Sequence, residues 1–306
     1  MKQMNKLVLS TLALAVTSGA HAANSFDEAM KNATTSGQLR FGYVSVSPDV
    51  AGAADTSGAA VGGYIKLETA EWNRLQFAIA PYFSEKVDSL SGDAATNELD
   101  ISMFDANGDS YAYLGEAYVN YTFNNGSVRL GRQQLDNPFI NTDDIRMSPN
   151  TFNALWANVE ISKNLSVEAG SVKSWAGIDS GDDKDTFKRA SNDGVTAIGA
   201  TFKMKDHHTF QGWYYNFDQN YSLMYLDAQY ANGAFEAGLQ YADFSEDNAS
   251  GIDGNAWGIS AAYSMGDLSL SIAMNEASND PGKAVDLGLG GGNFFASMDE
   301  NVIARP

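Results

Sequence analysis

Most of this chain alternates between apolar and polar side chains with a period of two, and this pattern constrains its fold more than any other feature. In the segment Leu114–Phe123, Val119 and Tyr121 would lie on one face of a strand, and Glu116 and Asn120 would lie on the other. Such alternation is typical of a strand whose two faces meet different environments. The alternating segments are about 9 to 13 residues long, which is the length that a tilted strand needs to cross a membrane. The pattern therefore predicts an all-β chain of membrane-spanning strands.

Helical periodicity is nearly absent. The exception is the segment Ser25–Asn32, which predicts one short periplasmic helix with Ser25 as its N-cap and Glu28 three residues later. The candidate strands are thirteen segments: Gln38–Val46, Tyr64–Ala70, Leu75–Phe83, Leu114–Phe123, Ser127–Gln133, Ala154–Ser162, Leu165–Ser174, Val195–Met204, Thr209–Phe217, Tyr221–Tyr230, Phe235–Phe244, Ala256–Met265 and Leu268–Asn275.

The links between these strands alternate between short and long. Short links with turn residues fall at 71–73, 124–126, 163–164, 205–207, 231–233 and 266–267, and long polar links at 48–60, 85–110, 134–153, 175–194 and 245–255. Short periplasmic turns and long extracellular loops are typical of a bacterial outer-membrane barrel, whereas a soluble sandwich gives no reason to separate its loops in this way. We therefore predict an antiparallel transmembrane β-barrel. Aromatic residues near strand ends would form its interfacial girdles, namely Trp72, Tyr82, Trp156, Trp213 and Trp257.

The first residues have the pattern of an export signal. Lys2 and Lys6 form a basic start, Leu7–Val16 is apolar but too short to span a bilayer as a helix, and Ala20–Ala22 is a small-x-small cleavage motif. We predict a signal peptide over residues 1–22 and a β-barrel domain over residues 23–306. The mature chain has no further apolar run long enough for a transmembrane helix, so the product is expected to be periplasmic, secreted or an outer-membrane barrel, and the loop pattern favours the barrel.

Composition excludes several classes of site. The chain has no cysteine, which excludes disulfides and zinc–thiolate centres. Its 38 Asp and Glu residues against 19 Lys and Arg residues give a formal net charge of −19, which is unsuited to nucleic acid. No motif indicates a cofactor or a metal site. The acidic excess would concentrate cations near a channel mouth, which favours a cation preference.

Two adjacent segments carry a family resemblance. Residues 130–139 read LGRQQLDNPF and residues 143–152 read DDIRMSPNTF, and together they resemble the OprD-like family of outer-membrane porins. The segments 26–29 and 36–40 resemble the start of that family's barrel, and 291–298 is similar to one of its late loops. The resemblance spans the chain from about residue 25 to its end.

The resemblance implies an 18-stranded barrel whose third extracellular loop, Gln134–Phe152 here, folds inward and narrows the lumen. About five strands would then be absent. Thirteen strands cannot close an antiparallel bacterial barrel, so we expect a missing C-terminal portion, with a naturally short product as the alternative. Family channels with a lumenal arginine ladder select basic amino acids and peptides or carboxylated solutes, and this chain has few arginines to build one.

The candidate lumen residues are charged residues on polar strand faces or in this loop. Arg129 alternates with Val128 and Leu130, so its side chain would face water. In the loop, the opposite charges of Asp143, Asp144 and Arg146 would face each other across a narrow gap and orient dipolar solutes. Alternatively, the two aspartates cap a loop turn and Arg146 pairs with them locally. The set is Glu68, Glu116, Arg129, Arg132, Asp143, Asp144 and Arg146.

These features predict a channel for passive diffusion of small hydrophilic solutes and ions. Its expected surroundings are outer-membrane lipid and lipopolysaccharide, and both a monomer and a homotrimer remain open. An adhesin or structural barrel without transport is the first alternative. A barrel hydrolase is the second, and it is disfavoured because the only histidines after the signal, His207 and His208, share one turn and no G-x-S-x-G motif is present.

Overall fold

One antiparallel sheet makes up most of the computed structural model, which describes residues 6–16, 22–48, 52–205, 207–291 and 294–296. No helix in these ranges is long and apolar enough to cross a membrane. Helix α1 is Phe26–Lys31, and three single-turn 3-10 helices lie between β4 and β5, at Asp88–Leu90, Ala94–Thr96 and Ile101–Met103. The strands are β1 Lys6–Val16, β2 Thr34–Val46, β3 Thr56–Glu68, β4 Leu75–Lys86, β5 Tyr111–Phe123, β6 Gly126–Gln133, β7 Thr151–Ser162, β8 Leu165–Ala176, β9 Lys188–Arg189, β10 Val195–Met204, β11 His208–Phe217, β12 Tyr221–Asn232, β13 Phe235–Glu246, β14 Gly254–Met265 and β15 Leu268–Ser278.

Each long strand pairs with its neighbours in the chain, and the two-residue strand β9 pairs with β8 alone. All thirteen predicted strands are confirmed as β2 to β8 and β10 to β15, most of them longer than the sequence indicated. Strand β1 covers most of the apolar segment assigned to the signal peptide and pairs with β2, from Lys6 opposite Ser45 to Val16 opposite Thr35. Ala20 and His21 of the cleavage motif lie outside the described residues.

Alternation gives the sheet two different faces. On β12, Met224 and Leu226 are exposed while Leu223, Tyr225 and Asp227 are buried. The same division runs round the sheet and defines an outer face of exposed apolar side chains and an inner face on which the long loops lie. A continuous apolar outer face is what hydrocarbon contact requires. Its members include Leu39, Ile65, Ile79, Val119, Leu130, Leu155, Ile198, Leu239, Ile259 and Ile272.

The links differ at the two ends of the strands, as the sequence indicated. At the turn end the links are short, as at 124–125, 163–164 and 233–234. At the loop end they are long, as at 87–110, 134–150 and 177–194. The link 218–220 is short although it lies at the loop end, because Asn220 N–H donates to the carbonyl of Phe217 in a tight turn. The length of a link therefore depends on the end of the sheet at which it lies, and the link 218–220 is the exception.

The buried core lies inside the curved sheet rather than between two sheets. Its largest cluster joins inner-face side chains of β7 to β14 with Leu135, Phe139 and Ile140 from the 134–150 loop. Within the described ranges no pairing joins β15 to β1, so the sheet has two edges. The loop contacts distant strands of one sheet, which requires the sheet to curve round it.

Three of the five aromatic residues assigned to girdles are on the inner face, so that interpretation is wrong for them. Tyr82, Trp156 and Trp213 are 0%, 6% and 5% exposed. Glycines on neighbouring strands leave space for the rings: a Cβ on Gly199 would lie 2.1 Å from Cδ2 of Trp213. Trp257 keeps an outer-face position, in register with Tyr241 and two residues from exposed Ile259.

Substitution of Gly199 by alanine tests this packing. The added methyl group would overlap the Trp213 ring, and we expect a loss of about 1–3 kcal/mol of stability from overpacking. Gly212→Ala is the control, since its Cβ would meet a flexible Leu226 methyl group at 3.3 Å and the Tyr225 carbonyl oxygen at an ordinary contact distance of 3.9 Å. Urea unfolding in lipid vesicles, followed by heat-dependent gel migration, measures both variants. Equal unfolding midpoints would contradict the packing account.

Candidate functional site

The loop between β6 and β7 lies inside the sheet and spans residues 134–150. The predicted constriction loop ended at Phe152, but Thr151 and Phe152 form the start of β7. Side-chain oxygens hold the loop's own shape: Oδ1 of Asp136 accepts hydrogen bonds from the backbone N–H and hydroxyl of Thr142, at 3.0 and 2.7 Å. The loop therefore enters the lumen as an ordered unit, and we call it the constriction loop.

A buried arginine fixes one part of the constriction loop to the wall. Arg40 on β2 is 5% exposed, and its guanidinium binds both carboxylate oxygens of Asp144, the first at 2.6 Å. The same guanidinium donates to the carbonyl oxygen of Arg146 at 2.6 Å, and Gln38 accepts from its Nε at 3.0 Å. A bidentate, charge-assisted pair of this kind sets both position and orientation.

The wall next to this pair is shaped to receive the loop. Met147 is fully buried and packs where a Cβ on Gly62 of β3 would lie 3.0 Å from its Sδ, so only glycine fits there without displacement. Beside it, the hydroxyl of Tyr111 on β5 donates to the Oγ of Ser148 at 3.1 Å. The Gly62 recess, the Tyr111 hydrogen bond and the Arg40 ion pair thus all hold the loop at the same position on the wall formed by β2 to β5.

The other part of the constriction loop reaches the opposite wall. Phe139 is fully buried, and its ring makes edge-to-face contacts with Tyr215 on β11, Tyr225 on β12 and Phe244 on β13, with centroids 5.5–5.9 Å apart. Such pairs add to the area that the ring buries. Asn137 accepts a hydrogen bond from the Tyr215 hydroxyl at 2.8 Å. The loop is therefore held at two separate arcs of the sheet and crosses the space between them.

A late segment of the chain lies against the constriction loop. Ile140 and Leu289 form a parallel bridge, in which Leu289 N–H donates to Phe139 and Asn141 N–H donates to Leu289, at 2.8 and 3.0 Å. Gly288 has φ +76°, and a Cβ there would lie 2.3 Å from the Phe139 carbonyl oxygen. The glycine therefore allows close backbone contact between the two segments.

The loop over 177–194, which lies at the loop end of the sheet, contacts the end of the constriction loop. The amide of Asn150 donates to Oδ2 of Asp179 at 2.7 Å, and its Oδ1 accepts from Asp179 N–H at 3.1 Å. Further along, Nζ of Lys184 donates to the carbonyl oxygens of Phe104 and Ile101, at 3.0 and 3.2 Å. Burial in this carbonyl cage lowers the pKa of Lys184 below its ordinary value.

Charged side chains on β3, β5 and β6 form a second part of the site, which we call the wall cluster. Glu116 is 1% exposed; its carboxylate accepts from Nζ of Lys66 at 3.0 Å and from the hydroxyl of Tyr82 at 2.8 Å. Gln134, the first residue of the constriction loop, donates to the same Tyr82 hydroxyl at 2.9 Å. The base of the loop and the wall therefore share one hydrogen-bonded network.

The wall cluster continues through a tyrosine toward the turn end. The Tyr118 hydroxyl donates to Oε2 of Glu68 at 2.5 Å, and the Arg129 guanidinium lies over the Tyr118 ring at 4.4 Å. Lys66 lies 5.0 Å from the same ring and 3.9 Å from Glu68. Glu68, Glu116 and Arg129, three residues expected at the lumen, are thus brought together on the inner face.

Side-chain exposure separates the charges that reach water from those that support them. Asp144 and Glu68 are 35% and 31% exposed, and Lys66 is 21% exposed. Arg40 and Glu116 are 5% and 2% exposed, so they hold their partners in place. Asp144, Glu68 and Lys66 therefore present charge to the solvent, while Arg40 and Glu116 support them from beneath.

Arg132 is not part of the wall cluster, and its contacts lie near the loop end of β6. Arg132 lies opposite Ala117 and Asn153 in the register, on the same side of β6 as exposed Leu130. Its guanidinium donates to the carbonyl oxygen of Leu114 at 2.8 Å and lies over the Phe187 ring at 4.3 Å. Arg132 therefore contacts the 177–194 loop through Phe187, whose ring in turn lies 6.3 Å from the ring of Tyr113 on β5.

The aspartates and the arginine in the loop have separate roles. Asp144 pairs with Arg40, a long-range partner that neither sequence interpretation included. Asp143 has φ +35°, its N–H donates to Asn141, and a Cβ on Gly291 would meet its carboxylate at 3.2 Å. Arg146 is 7% exposed, and its NH1 donates to the neighbouring Ile145 carbonyl at 3.4 Å.

Two residues that position the loop were missed as site residues. Arg40 had a usable signal, because it is a charged residue between Leu39 and Phe41 on the polar side of a strand. Phe139 had none, since nothing local indicates that an aromatic residue in a loop will cross to β11 to β13. The partners of both residues are identified only by contacts between distant parts of the chain.

Comparisons with known structures agree with this architecture. Acinetobacter baumannii OccAB1 has 20% identity and a TM-score of 0.66, covering 86% of this chain and 69% of its own. Pseudomonas aeruginosa OccK9 (OpdG) has 17% identity and a TM-score of 0.69, covering 82% and 69%. Pseudomonas aeruginosa OccK2 (OpdF), crystallised with glucuronate, has 14% identity and a TM-score of 0.64, covering 82% and 66%. At these identities the likeness concerns the fold.

The sequence comparisons give the family. A search among curated proteins found no match to this chain. The family model described as outer membrane porin, OprD family, matches residues 78–294, which include the constriction loop, most of the wall cluster and the late segment. The chain therefore belongs to the OprD family of outer-membrane porins, and its sheet is the wall of a β-barrel in the bacterial outer membrane.

Proposed function

We propose that this porin is a passive diffusion channel for small hydrophilic solutes and ions, with the constriction loop as its narrowest element. The observation that carries the proposal is the double attachment of the loop, through Asp144 to β2 and through Phe139 to β11 to β13. A loop fixed at two arcs of a barrel must divide the lumen. Passage through such a gap needs water and charge but no catalytic group.

The alternative functions have less support. For a barrel hydrolase, a histidine should lie beside a serine on the wall, but Nδ1 of His207 is 3.0 Å from the Ala231 carbonyl and His208 packs against Tyr230 at the turn end. An adhesin or structural barrel gives no reason to line the inner face with a buried ion-pair network. The function also needs only one barrel, so a monomer and a homotrimer would both conduct.

The arrangement of charge at the gap favours dipolar solutes. Lys66 presents its ammonium group beside the carboxylates of Glu68 and Glu116, and Asp144 presents a carboxylate from the loop. Fixed opposite charges in a narrow, partly dehydrated space orient a solute that carries both signs. We therefore propose small zwitterions as a preferred class, with entry governed by orientation as well as size.

The remaining wall favours cations. The inner-face positions of β7, β8, β12 and β13 carry Glu160, Glu168, Asp227 and Glu236, as their register with Trp156 and Tyr225 requires, whereas Lys203 is the inner-face cation of β10. Asp227 is bound only through neutral donors in the hydrogen bonds described, from Gln211, Gln229 and Tyr225 at 3.3–3.4 Å. An uncompensated carboxylate in a low-dielectric wall attracts cations into the lumen.

Removal of residues 1–22 is part of the proposal. Ala23, the first residue after the cleavage motif, already donates its backbone N–H to the Glu71 carbonyl at 2.7 Å and forms a parallel bridge to Trp72. Cleavage before Ala23 would therefore leave the new terminus attached at the turn end. The strand pairing of β1 with β2 would end at the same step, since Lys6–Val16 leaves with the signal.

Mass spectrometry of the chain purified from outer membranes tests this processing. We expect a mature protein that begins at Ala23, because that residue is held by the β3–β4 turn. Outer membranes from cells that carry the Ala22→Leu substitution are the comparison, since a large residue at the cleavage position blocks processing. A wild-type mass that retains residues 6–16 would show that β1 is part of the mature wall.

Substitution of Arg40 tests the loop attachment. In Arg40→Gln, Asp144 loses its cation and the loop loses its bidentate contact, so we expect more frequent open-channel current fluctuations and a higher mean conductance. Arg129→Gln is the matched control, because it removes a charge from the same wall without touching the loop. Single-channel recording measures both. Identical fluctuations in the two variants would contradict the constriction assignment.

Substitution of Asp227 tests the cation preference. Asp227→Asn removes a lumenal carboxylate, and we expect the reversal potential across a KCl gradient to move toward the value for an unselective pore. Asp243→Asn is the control with the same charge change, because Asp243 lies on the outer-face side of β13 beside Tyr241. Anion selectivity in the wild-type channel would overturn the preference.

Solute choice can be tested with a set of matched size. The OccK2 relative was crystallised with glucuronate, an anionic sugar acid, so glucuronate is a suitable comparison solute. Liposome swelling with glucuronate, glucose and a zwitterionic amino acid separates charge from size. The proposal favours the zwitterion over glucuronate.

A further inference from the structure

Helix α1 lies outside the barrel wall at its turn end. The Phe26 ring packs against Trp72 and Phe77 with edge-to-face centroid distances of 5.7 and 5.9 Å. Phe77 is on the outer face, since it lies opposite Val119, which is 37% exposed among the apolar residues of that face. The helix therefore begins where the apolar outer face ends, on the periplasmic side.

The helix is held firmly in this place. Ser25 caps it, with Glu28 N–H donating to the Ser25 hydroxyl at 3.2 Å, and Asn24 N–H donates to the Glu28 carboxylate at 2.8 Å. Ala29 is 1% exposed, and its carbonyl oxygen accepts from Ala70 N–H at 3.1 Å. The reciprocal cap and the hydrogen bond to the turn fix which sides of the helix remain free.

The free sides of the helix differ in polarity. Phe26 and Met30, one turn apart, are 47% and 42% exposed although both are large and apolar. Asp27 and Lys31 form an ion pair at 2.6 Å on the neighbouring side and are 77% and 73% exposed. A short amphipathic helix with this division matches the boundary between acyl chains and headgroups.

We propose that α1 is an interfacial membrane contact, in which Phe26 and Met30 enter the phospholipid headgroup–acyl boundary of the periplasmic leaflet beside Trp72. Phospholipid is favoured over a protein partner because the apolar side continues the outer face through Phe77, and that face meets hydrocarbon in an outer-membrane barrel. Trp72 adds an aromatic ring of the kind enriched at this boundary.

The chain has no cysteine, so single labels can be placed without other changes. We would attach a polarity-sensitive fluorophore to Met30→Cys and, as the control on the polar side of the same helix, to Lys31→Cys. The full chain is folded into vesicles of phosphatidylethanolamine and phosphatidylglycerol, and heat-dependent gel migration confirms folding of each variant. Both labels lie on one short helix, so any difference in aqueous access reflects the helix face.

We expect the Met30→Cys label to be quenched by nitroxide lipids labelled near the headgroup and to be several-fold less sensitive to iodide than the Lys31→Cys label. Equal iodide quenching at the two positions would overturn the proposal. Protection from iodide without quenching by nitroxide lipid would also overturn it, because protein, either a second copy or another part of the chain, would then cover the helix. Neither readout depends on conduction, so the test is independent of the proposed channel function.

Discussion

Backbone N–H and C=O groups cannot remain unpaired in hydrocarbon, and the architecture of this protein follows from that constraint. A meander of long antiparallel strands pairs the backbone groups of every interior strand with its two neighbours, and its period of two then assigns alternate side chains to lipid and to water. Because the outer face has to be apolar, the inner face and the loops carry most of the chemical variety. The functional residues therefore lie on the inner face and in the loops, where the choice of side chain is least restricted.

Side chains on the inner face hold the constriction loop in place. Arg40 and Glu116 are nearly inaccessible, yet each organises more exposed charges around it, Asp144 in one case and Lys66 in the other. Breaking one partner of such a buried pair leaves an uncompensated charge, which is far more costly than losing an exposed ion pair. The charged groups that a solute would meet are thus fixed by groups that it would not reach. The loop contacts continue outward, through Asp179 to the 177–194 loop and through Lys184 to the 87–110 loop.

The sequence predicted the strands well and the site in part. Alternation is a local property, so all thirteen strands and the position of Arg129 on the inner face could be predicted from neighbouring residues alone. Local alternation groups Arg132 with Val128 and Leu130 on β6, and it gives no sign that the guanidinium would contact Phe187 in a distant loop. Trp156 shows a conflict between two signals: it alternates with Leu155 and belongs inside, although its residue type favoured the girdle.

What alternation could not provide is the partner of each inner residue. Arg40 and Asp144 are separated by 104 positions, and Phe139 meets strands more than 70 residues further along. Register within the sheet and the fold of the loop must both be known before such contacts can be derived. Pairings of this kind depend on the curved shape of the wall, and a pattern with a period of two contains no information about curvature.

The recess at Gly62 has a consequence for redesign of these channels. Met147 fits only because the wall residue beneath it lacks a side chain, and Phe139 fits only among Tyr215, Tyr225 and Phe244. The position of the loop therefore depends on wall residues outside the loop as well as on its own sequence. If residues 134–150 were grafted into another barrel, the loop would lack the wall positions that it packs against. A working chimaera would therefore also need those wall residues in the host.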